Sequence, residues 1–538
     1  MRSPRSRFRI LLATLLVAGA SNTAAAPQNV DAPATLAALR TQIDAHIGES
    51  RFAGAAWGIA VVSLDTGSVV YSHDADHLLQ PASTAKLYTA ALTLSELGAG
   101  YRIPTRLLAS NDIKHGRLDG PLILYGMGDP TLGTDASTLD WADRLATQLA
   151  ARGVHHVHGD LIADDTYFAS PSMGTGWEAI DLQSWFAVPS SALSVQENEF
   201  DLMVTAGRMP GMPAQLTVDP SDAMPPLVSS LSTDRPRTRN DINLYRAPGD
   251  TTLYAFGNIA QRSPPQHFRL SVADPARQAG QELLQVLAKH GVSVDGHLET
   301  VHWPRSSETL RANTTVVAEV QSPSADVILR SGLKRSQNLY LQNLLLIAGA
   351  QAQARAMQTP TPPPGFITTE AWGIKALREL LDRIGIPPAA SLLEEGTGLS
   401  RRDLTTPDAM VRLLVFLAAQ PYAETLRDAL PIAGVDGTLI GRMRRTPATN
   451  NVHAKTGSMA YVHCLAGYVT SAAGERLAFA IMLNNYDAPA DSPSASRDVD
   501  AIAVMLAGLH ERSLTVRSVG ESGTTPAQEV AQPLHNRR

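Results

Sequence analysis

The stretch PASTAKLYTAAL at residues 81–92 gives the first indication of the fold. Its small and apolar residues predict a buried helix that begins near Ser83. Residues three apart share one face of a helix, so the amine of Lys86 can reach the hydroxyl of Ser83. A neutral amine can accept the serine proton when burial and a neighbouring cation lower its pKa, and the helix N-terminus favours the developing oxyanion. Ser83 and Lys86 are therefore a candidate nucleophile and base, although this spacing alone often arises by chance.

A second motif, Ser336-Gln337-Asn338, lies between two segments with helical patterns at residues 324–333 and 339–348. Loops in such places can point side chains inward. A serine hydroxyl can pass a proton to a leaving amine, and an asparagine amide offers a donor and an acceptor to a peptide backbone. Taken alone, Ser336 or Asn338 also suits an ordinary helix N-cap.

A third motif, Lys455-Thr456-Gly457, is followed by Ser458 and lies at the edge of a predicted strand hairpin. Lys455 supplies positive charge, and Thr456 supplies a hydroxyl for a substrate carboxylate. Gly457 lets a substrate strand approach the backbone closely. Taken alone, the motif is also compatible with a strand-edge lysine beside a turn glycine.

The three motifs occur together in the order known from β-lactamases and penicillin-binding proteins. Over about residues 30–510 the chain resembles the class C low-molecular-mass penicillin-binding proteins, the DacB-like D-alanyl-D-alanine carboxypeptidase/endopeptidases. The long separation of Ser83 from Ser336 fits this family, because simple β-lactamases place these motifs much closer. Further family landmarks follow in order: GMGDPTL at 126–132, GDL at 159–161, DDTYF at 164–168, SALS at 191–194, Glu197-Asn198 and AGVDGT at 433–438.

The resemblance implies a mechanism on D-alanyl peptides of the bacterial cell wall. Ser83 attacks the carbonyl carbon of the penultimate D-alanine, Lys86 accepts its proton, and the backbone N–H groups of Ser83 and Ser458 form the oxyanion hole. Ser336, polarised by Lys455 and Lys86, passes a proton to the leaving amine. Asn338 holds the peptide and Thr456 the terminal carboxylate.

The sequence departs from the family pattern at three positions. Glu395 and Thr397 stand where the family often has Asp and Ser in an Asp-Gly-Ser-Gly-Leu-Ser-Arg run, and Gln337 stands in the middle of the second motif. None of the departures removes a catalytic group, but they can change the shape of the pocket.

The predicted fold class is α/β of the α+β type. A penicillin-binding, transpeptidase-like (serine β-lactamase-like) domain is split by a long β-rich insertion that forms one or two smaller domains. The predicted units are a signal peptide at 1–26, the first part of the transpeptidase-like domain at 27–99, the inserted β-rich domains at 100–312, the second part at 313–510 and a disordered tail at 511–538.

Individual elements are predicted from periodicity and capping. They are a hairpin at 55–65 and 68–73, strands at 460–470 and 477–483, a helix that restarts near Glu370, a closing helix at 499–508, and a helix to about Ala419 that Thr406 caps and Pro407 begins.

The N-terminus predicts export. Four arginines (Arg2, Arg5, Arg7 and Arg9) precede an apolar run at 10–18 and the small residues before Pro27, which indicates a signal peptide cleaved near Ala25 or Ala26. A membrane anchor is the alternative, but it needs about 20 apolar residues. We therefore expect a periplasmic or otherwise extracytoplasmic protein without a stable membrane span. The single Cys464 excludes an intramolecular disulfide.

Composition limits the partners. The formal net charge of −6 becomes more negative when the signal arginines leave, which disfavours nucleic acid. Peptidoglycan peptides are the expected substrates and β-lactam antibiotics the expected covalent inhibitors, while the oligomeric state stays open. No cofactor or metal is predicted: His155, His156 and His158 with Asp160 suggest ligands, but the sequence offers no completing set.

Two alternatives to a D-alanyl peptidase stay open. One is a β-lactamase or esterase on the same scaffold, which requires a carboxylate positioned to activate water for rapid deacylation. The other is a non-catalytic peptidoglycan-binding protein, which has no need of a nucleophile with its base.

Overall fold

The computed structural model describes residues 32–110, 113–134, 138–219, 223–489 and 492–513. The predicted signal peptide at 1–26 lies outside these residues, as does the predicted tail from 514 onward. Glu511 accepts a hydrogen bond from the backbone N of Leu36, and Ser513 donates one to Glu475, so the first residues assigned to the tail contact the body of the protein. The tail as a whole stays a prediction.

The described residues form twenty-two strands and eleven α-helices. The strands are β1 Ala56–Ser63, β2 Val69–His73, β3 Pro104–Ala109, β4 Ile113–Lys114, β5 Arg117–Asp119, β6 Leu122–Gly126, β7 His156–His158, β8 Leu161–Asp164, β9 Glu199–Thr205, β10 Gln215–Asp219, β11 Leu227–Asp234, β12 Asp241–Tyr245, β13 Leu253–Ala260, β14 Gln266–Ser271, β15 Ser293–Val294, β16 Leu298–Val301, β17 Thr315–Gln321, β18 Ser391–Leu392, β19 Leu404–Thr405, β20 His453–Met459, β21 Val462–Thr470 and β22 Arg476–Asn484. The helices are α1 Leu36–Ile47, α2 Lys86–Leu92, α3 Asp140–Ala151, α4 Pro275–Lys289, α5 Glu308–Arg311, α6 Ala325–Arg335, α7 Asn338–Met357, α8 Thr369–Arg383, α9 Pro407–Ala418, α10 Ala423–Ala429 and α11 Ala495–Ala507.

The sheet that carries part of the candidate site is antiparallel and has the order β2-β1-β22-β21-β20. Its first two strands come from before residue 100 and its last three from after residue 450. The chain therefore leaves this sheet after β2 and returns to it at β20, which becomes an edge strand. The long excursion matches the predicted split of the domain.

Alternating residue size on β22 explains how this sheet packs. Leu477, Phe479 and Ile481 face one side and join a core with α1 and α11. Ala478 and Ala480 face the other side, where a core formed largely by α2, α7, α8 and α9 covers the sheet. Successive strand residues point to opposite faces, so the small residues let helices approach one face closely while the large ones fill the other.

The excursion between β2 and β20 builds four further sheets from residues 104–321, besides the two-stranded pair β18-β19. Their strand orders are β16-β8-β6-β3-β17, β15-β7-β5-β4, β10-β9-β14 and β11-β13-β12. Strand β17, which follows the predicted boundary at 312, pairs antiparallel with β3, so this segment begins and ends on neighbouring strands. The domain boundaries themselves stay a prediction.

Two long helices lie in the stretch read as mostly β, and the sequence analysis did not predict them. They are α3 and α4, which pack with the neighbouring strands in one core. The start of α4 is marked in the sequence, because Asp274 caps the backbone N of Arg277 and Pro275 occupies the first turn.

The other element predictions are confirmed to within a few residues, except that α7 runs on to Met357, nine residues beyond the helical pattern at 339–348. Thr406 accepts a hydrogen bond from the backbone N of Ala409 at the start of α9, as its sequence indicates. Among the described residues, none of the helices combines the length and apolarity needed to cross a membrane.

Candidate active site

Ser83 lies in a short 3-10 helix, Ala82–Ala85, that runs directly into α2. Pro81 and the left-handed backbone of Ala82 (φ 45°) precede it, and the hydroxyl of Thr84 donates to the carbonyl of Pro81 at 2.7 Å. These features fix the turn that presents Ser83, whose side chain is only partly buried. The helix predicted near this residue is confirmed.

Lys86 is completely buried, and its ammonium reaches three acceptors. Nζ donates to Ser83 Oγ at 2.8 Å, to Asn338 Oδ1 at 2.5 Å and to the backbone oxygen of Thr397 at 2.8 Å. Burial lowers the pKa of Lys86 to about 7, although the negative charges of Glu395 and Asp403 oppose the shift. A substantial fraction of this amine is therefore neutral near pH 7 and able to accept a proton.

Ser336 ends α6 in a left-handed backbone conformation, with φ 58° and ψ 35°. Lys455 Nζ donates to its Oγ at 2.9 Å and to the backbone oxygen of Thr456 at 2.8 Å. Burial and the nearby positive charges of Lys86 and Arg442 hold the pKa of Lys455 well below its usual value. The alternative that Ser336 caps the following helix is wrong, because Gln337 occupies the N-cap position of α7.

Asn338 is the first residue of α7 and joins the first two motifs. Its Oδ1 accepts from Lys86, and its Nδ2 donates to the backbone oxygen of Phe186 at 2.6 Å. The amide orientation is thus fixed from both ends, with the acceptor toward the lysine.

Strand β20 carries the third motif along the sheet edge. The Thr456 hydroxyl lies 2.8 Å from the Thr438 hydroxyl, and Ser458 is exposed. A Cβ on Gly457 would lie 2.5 Å from the carbonyl oxygen of Pro81. The close approach of β20 to the turn before Ser83 therefore requires glycine here, and the predicted approach of a substrate strand stays a prediction.

The loop after β18 is organised by the buried carboxylate of Glu395. Its oxygens accept from the backbone N of Thr397 at 2.9 Å, of Gly398 at 2.5 Å and of Leu399 at 3.0 Å. This loop delivers the Thr397 carbonyl to Lys86. Glu395 thus performs a structural task in the position where the family often has Asp.

Gln337 is buried and is bound by a carboxylate of the excursion. Its Nε2 donates to Glu197 Oε2 at 3.1 Å, while Tyr340 donates to Oε1 of the same carboxylate at 2.8 Å and Arg335 binds both oxygens. Burial alone would raise the pKa of Glu197, but the hydrogen bonds and charge of Arg335 lower it to about 2. The residues on both sides of Ser336 are therefore tied to one carboxylate.

All eight residues predicted from the sequence lie on the elements described: Ser83, Lys86, Ser336, Asn338, Lys455, Thr456, Gly457 and Ser458. Direct hydrogen bonds connect the first two motifs to each other, and Lys455 to Ser336. The sequence analysis missed the Thr397 carbonyl and the Thr438 hydroxyl as members of the site. Thr438 lies in the landmark AGVDGT, and Thr397 is one of the departures from the family pattern. The role of Thr397 could not be predicted, because it acts through its backbone oxygen and not through its side chain.

The sequence of most of the chain matches the model of a known protein family. The model of the D-Ala-D-Ala carboxypeptidase 3 (S13) family matches residues 39–507, which include every residue of the candidate site. The chain belongs to this family. Its membership confirms the resemblance to DacB-like penicillin-binding proteins and makes the protein a serine-type hydrolase.

Two curated relatives show how far the similarity extends. The chain is 34% identical over 495 residues to a D-alanyl-D-alanine carboxypeptidase of Actinomadura sp. (strain R39), covering 90% of this chain and 87% of the relative. It is 28% identical over 435 residues to the D-alanyl-D-alanine carboxypeptidase DacB of Haemophilus influenzae, covering 80% and 85%.

The fold is similar to a solved structure. Penicillin-binding protein 4 (dacB) from H. influenzae matches with a TM-score of 0.73 and 26% identity, over 86% of this chain and 97% of that one. The predicted α/β, penicillin-binding fold class is confirmed.

Proposed function

We propose that this family member is an exported D-Ala-D-Ala carboxypeptidase that also cleaves D-alanyl cross-links of peptidoglycan as an endopeptidase. Ser83 is the nucleophile. The observation that carries the proposal is the contact of the buried Lys86 ammonium with both Ser83 Oγ and Asn338 Oδ1, because it joins nucleophile, base and substrate-binding amide in one cluster.

Acylation begins with the transfer of the Ser83 proton to the neutral form of Lys86. Serine Oγ then forms a bond to the carbonyl carbon of the penultimate D-alanine, and the backbone N–H groups of Ser83 and Ser458 stabilise the resulting oxyanion. A lysine whose pKa is about 7 matches this task near neutral pH, because it is sufficiently deprotonated and still basic.

Collapse of the tetrahedral intermediate breaks the C–N bond, and the leaving amine takes a proton from the Ser336 hydroxyl. That hydroxyl is replenished from Lys86, which received the serine proton, with Lys455 stabilising the transient charge. The 2.9 Å contact from Lys455 supports this role for Ser336. Water then attacks the acyl-enzyme ester and releases the product acid.

Asn338 and the paired hydroxyls of Thr456 and Thr438 bind the substrate. One hydroxyl of the pair donates to the other, and the remaining O–H can donate to the terminal carboxylate of the leaving residue. If that residue is free D-alanine the reaction is carboxypeptidation, and if it belongs to a cross-linked stem the same chemistry is endopeptidation.

Export and inhibition by β-lactams complete the proposal. The N-terminal arginines and apolar run support a signal peptide cleaved near Ala25 or Ala26.

A β-lactam acylates the same serine, since its strained amide presents a carbonyl carbon to Ser83. The H. influenzae protein has been solved in complex with a β-lactam.

A β-lactamase needs a carboxylate free to activate water. Glu395 organises the loop beside Lys86, and both of its carboxylate oxygens already accept hydrogen bonds from backbone N–H groups. This carboxylate is therefore not free to activate water. This arrangement favours a long-lived acyl-enzyme over rapid antibiotic turnover.

The proposal is tested by comparing the protein with its Ser83→Ala variant. We expect D-alanine release from a pentapeptide muropeptide and cleavage of a cross-linked dimer muropeptide, with both activities lost in the variant. Cleavage of the pentapeptide alone would remove the endopeptidase part of the proposal, and rapid hydrolysis of penicillin without D-alanine release would replace it with a β-lactamase.

A further inference from the structure

Three side chains converge on one sheet of the excursion, β15-β7-β5-β4, which contributes none of the active-site residues. His156 Nε2 and His158 Nδ1 each lie 2.9 Å from Asp295 Oδ2. The candidate ligand atoms all lie within 4.8 Å of one another, and among the described residues no other group of three or more His, Cys, Asp and Glu side chains has this spacing.

The backbone holds these residues in register. His156 and His158 are two apart on β7, so their rings project from the same face of the sheet, and their planes are inclined by 18°. Strand β15 pairs parallel to β7 with Ser293 opposite His156, and the backbone N of Asp295 donates to the oxygen of Val157 at 3.1 Å. The carboxylate therefore reaches the imidazoles from a neighbouring strand. The sequence analysis did not name Asp295 as a candidate ligand.

Ser293 orients the first imidazole. His156 Nδ1 lies 2.8 Å from Ser293 Oγ, and that hydroxyl donates to the backbone oxygen of His155 at 3.4 Å. A hydroxyl that already donates to a carbonyl is free to accept the N–H of Nδ1. The opposite ring nitrogen, Nε2, faces the cluster, where it donates to Asp295 in the absence of a metal and would offer its lone pair to a bound one.

We propose that His156, His158 and Asp295 form a binding site for a divalent transition metal of the zinc class. Two imidazole nitrogens and one carboxylate oxygen are a ligand set that zinc accepts, with water in the fourth position. At metal–ligand bonds of about 2.0–2.1 Å and tetrahedral angles, the ligand atoms are separated by roughly 3.3 Å. Each 2.9 Å nitrogen–oxygen distance then needs to lengthen only slightly.

The surroundings allow a cation. Arg117 lies in register with His156 on β5, but its guanidinium is paired with Asp119 at 2.7 Å. Strands β7 and β15 are already paired through their backbones, and a bound ion would add a side-chain link between these segments, which are 137 positions apart at His158 and Asp295. Magnesium and calcium prefer all-oxygen ligands and should not bind here.

Zinc chloride titrated into metal-free protein tests the site. We expect one ion to bind per chain, with magnesium chloride giving no heat of binding, and a higher thermal midpoint in the presence of zinc. Asp295→Asn and His158→Gln should each weaken binding by at least about tenfold. His155→Gln is the matched control, because this exposed histidine directly precedes β7 and is not one of the three clustered side chains, so its replacement should leave the affinity unchanged.

Two readouts keep the test independent of folding. Acylation by labelled penicillin shows whether each variant is folded, and X-ray absorption of zinc bound to the unaltered protein should show two imidazoles and one oxygen ligand from the protein. Zinc binding that is equal in all variants, or absent in the unaltered protein, would overturn the proposal.

Discussion

Glu197 and Arg335 are joined by two hydrogen bonds, of 2.7 and 2.5 Å, across 138 positions of the sequence. The pair links a turn that immediately precedes β9 to the residue before Ser336. Gln337, the residue after Ser336, donates to the same carboxylate. The long excursion thus holds the second motif in place as well as separating it from the first.

Replacing Glu197 with Gln should therefore slow acylation without unfolding the protein. The amide loses the charge and one acceptor oxygen, so the contacts of Arg335 and Gln337 that hold Ser336 from both sides weaken. A displacement of about 1 Å at a reacting group can cost on the order of 10²-fold in rate. Stopped-flow acylation by a fluorescent penicillin measures the effect, which should appear in the acylation rate more than in the binding constant. Glu319→Gln removes another ion pair, with Arg106, and serves as control. Equal rates in both variants would show that Glu197 does not position Ser336.

The rate of acylation should depend on the protonation of Lys86. Burial lowers the pKa of this lysine to about 7, so the neutral base becomes more abundant as the pH rises through that value. We expect the rate to increase about tenfold per pH unit well below 7 and to level off above it. A pH profile that is flat from 5 to 9 would contradict the role of Lys86 as base.

Glu395→Gln should shift this profile to lower pH. The carboxylate charge raises the pKa of Lys86, and its removal lets burial depress that pKa further. An amide also offers only one acceptor oxygen to the backbone N–H groups of the loop, so we expect unfolding in urea to become easier by about 1–3 kcal/mol. Glu394→Gln, at the preceding half-buried position, is the control; an unshifted profile in Glu395→Gln would remove the electrostatic argument.

Gly457→Ala should abolish acylation. The added Cβ would lie 2.5 Å from the Pro81 carbonyl oxygen and would push β20 away from the turn that presents Ser83. Gly441→Ala is the matched control, because no atom lies within 4 Å of the Cβ added there. Penicillin labelling compares the two variants, and full labelling of Gly457→Ala would show that the close approach is dispensable.

The sequence predicts the parts of this site that short spacings define. Ser83 and Lys86 are one helical turn apart, and capping residues mark the start of α9, so local rules suffice for both. Contacts between distant segments follow no such rule. Three such contacts are missing from the sequence analysis: those of the Thr397 carbonyl, the Glu197 carboxylate and the Asp295 carboxylate. Each depends on how distant segments pack together, which the periodicity of a single segment does not predict. Helix α3 was missed because the surrounding Gly, Pro and Asp residues dominated the pattern.

The central claim, that Ser83 is the nucleophile, is tested most directly by mapping a penicillin adduct. The labelled protein is digested with trypsin, which releases residues 52–86 as one peptide. We expect tandem mass spectrometry to place the penicilloyl mass on Ser83 and the Ser83→Ala protein to carry no adduct. An adduct on another residue, or one that persists in Ser83→Ala, would contradict the account.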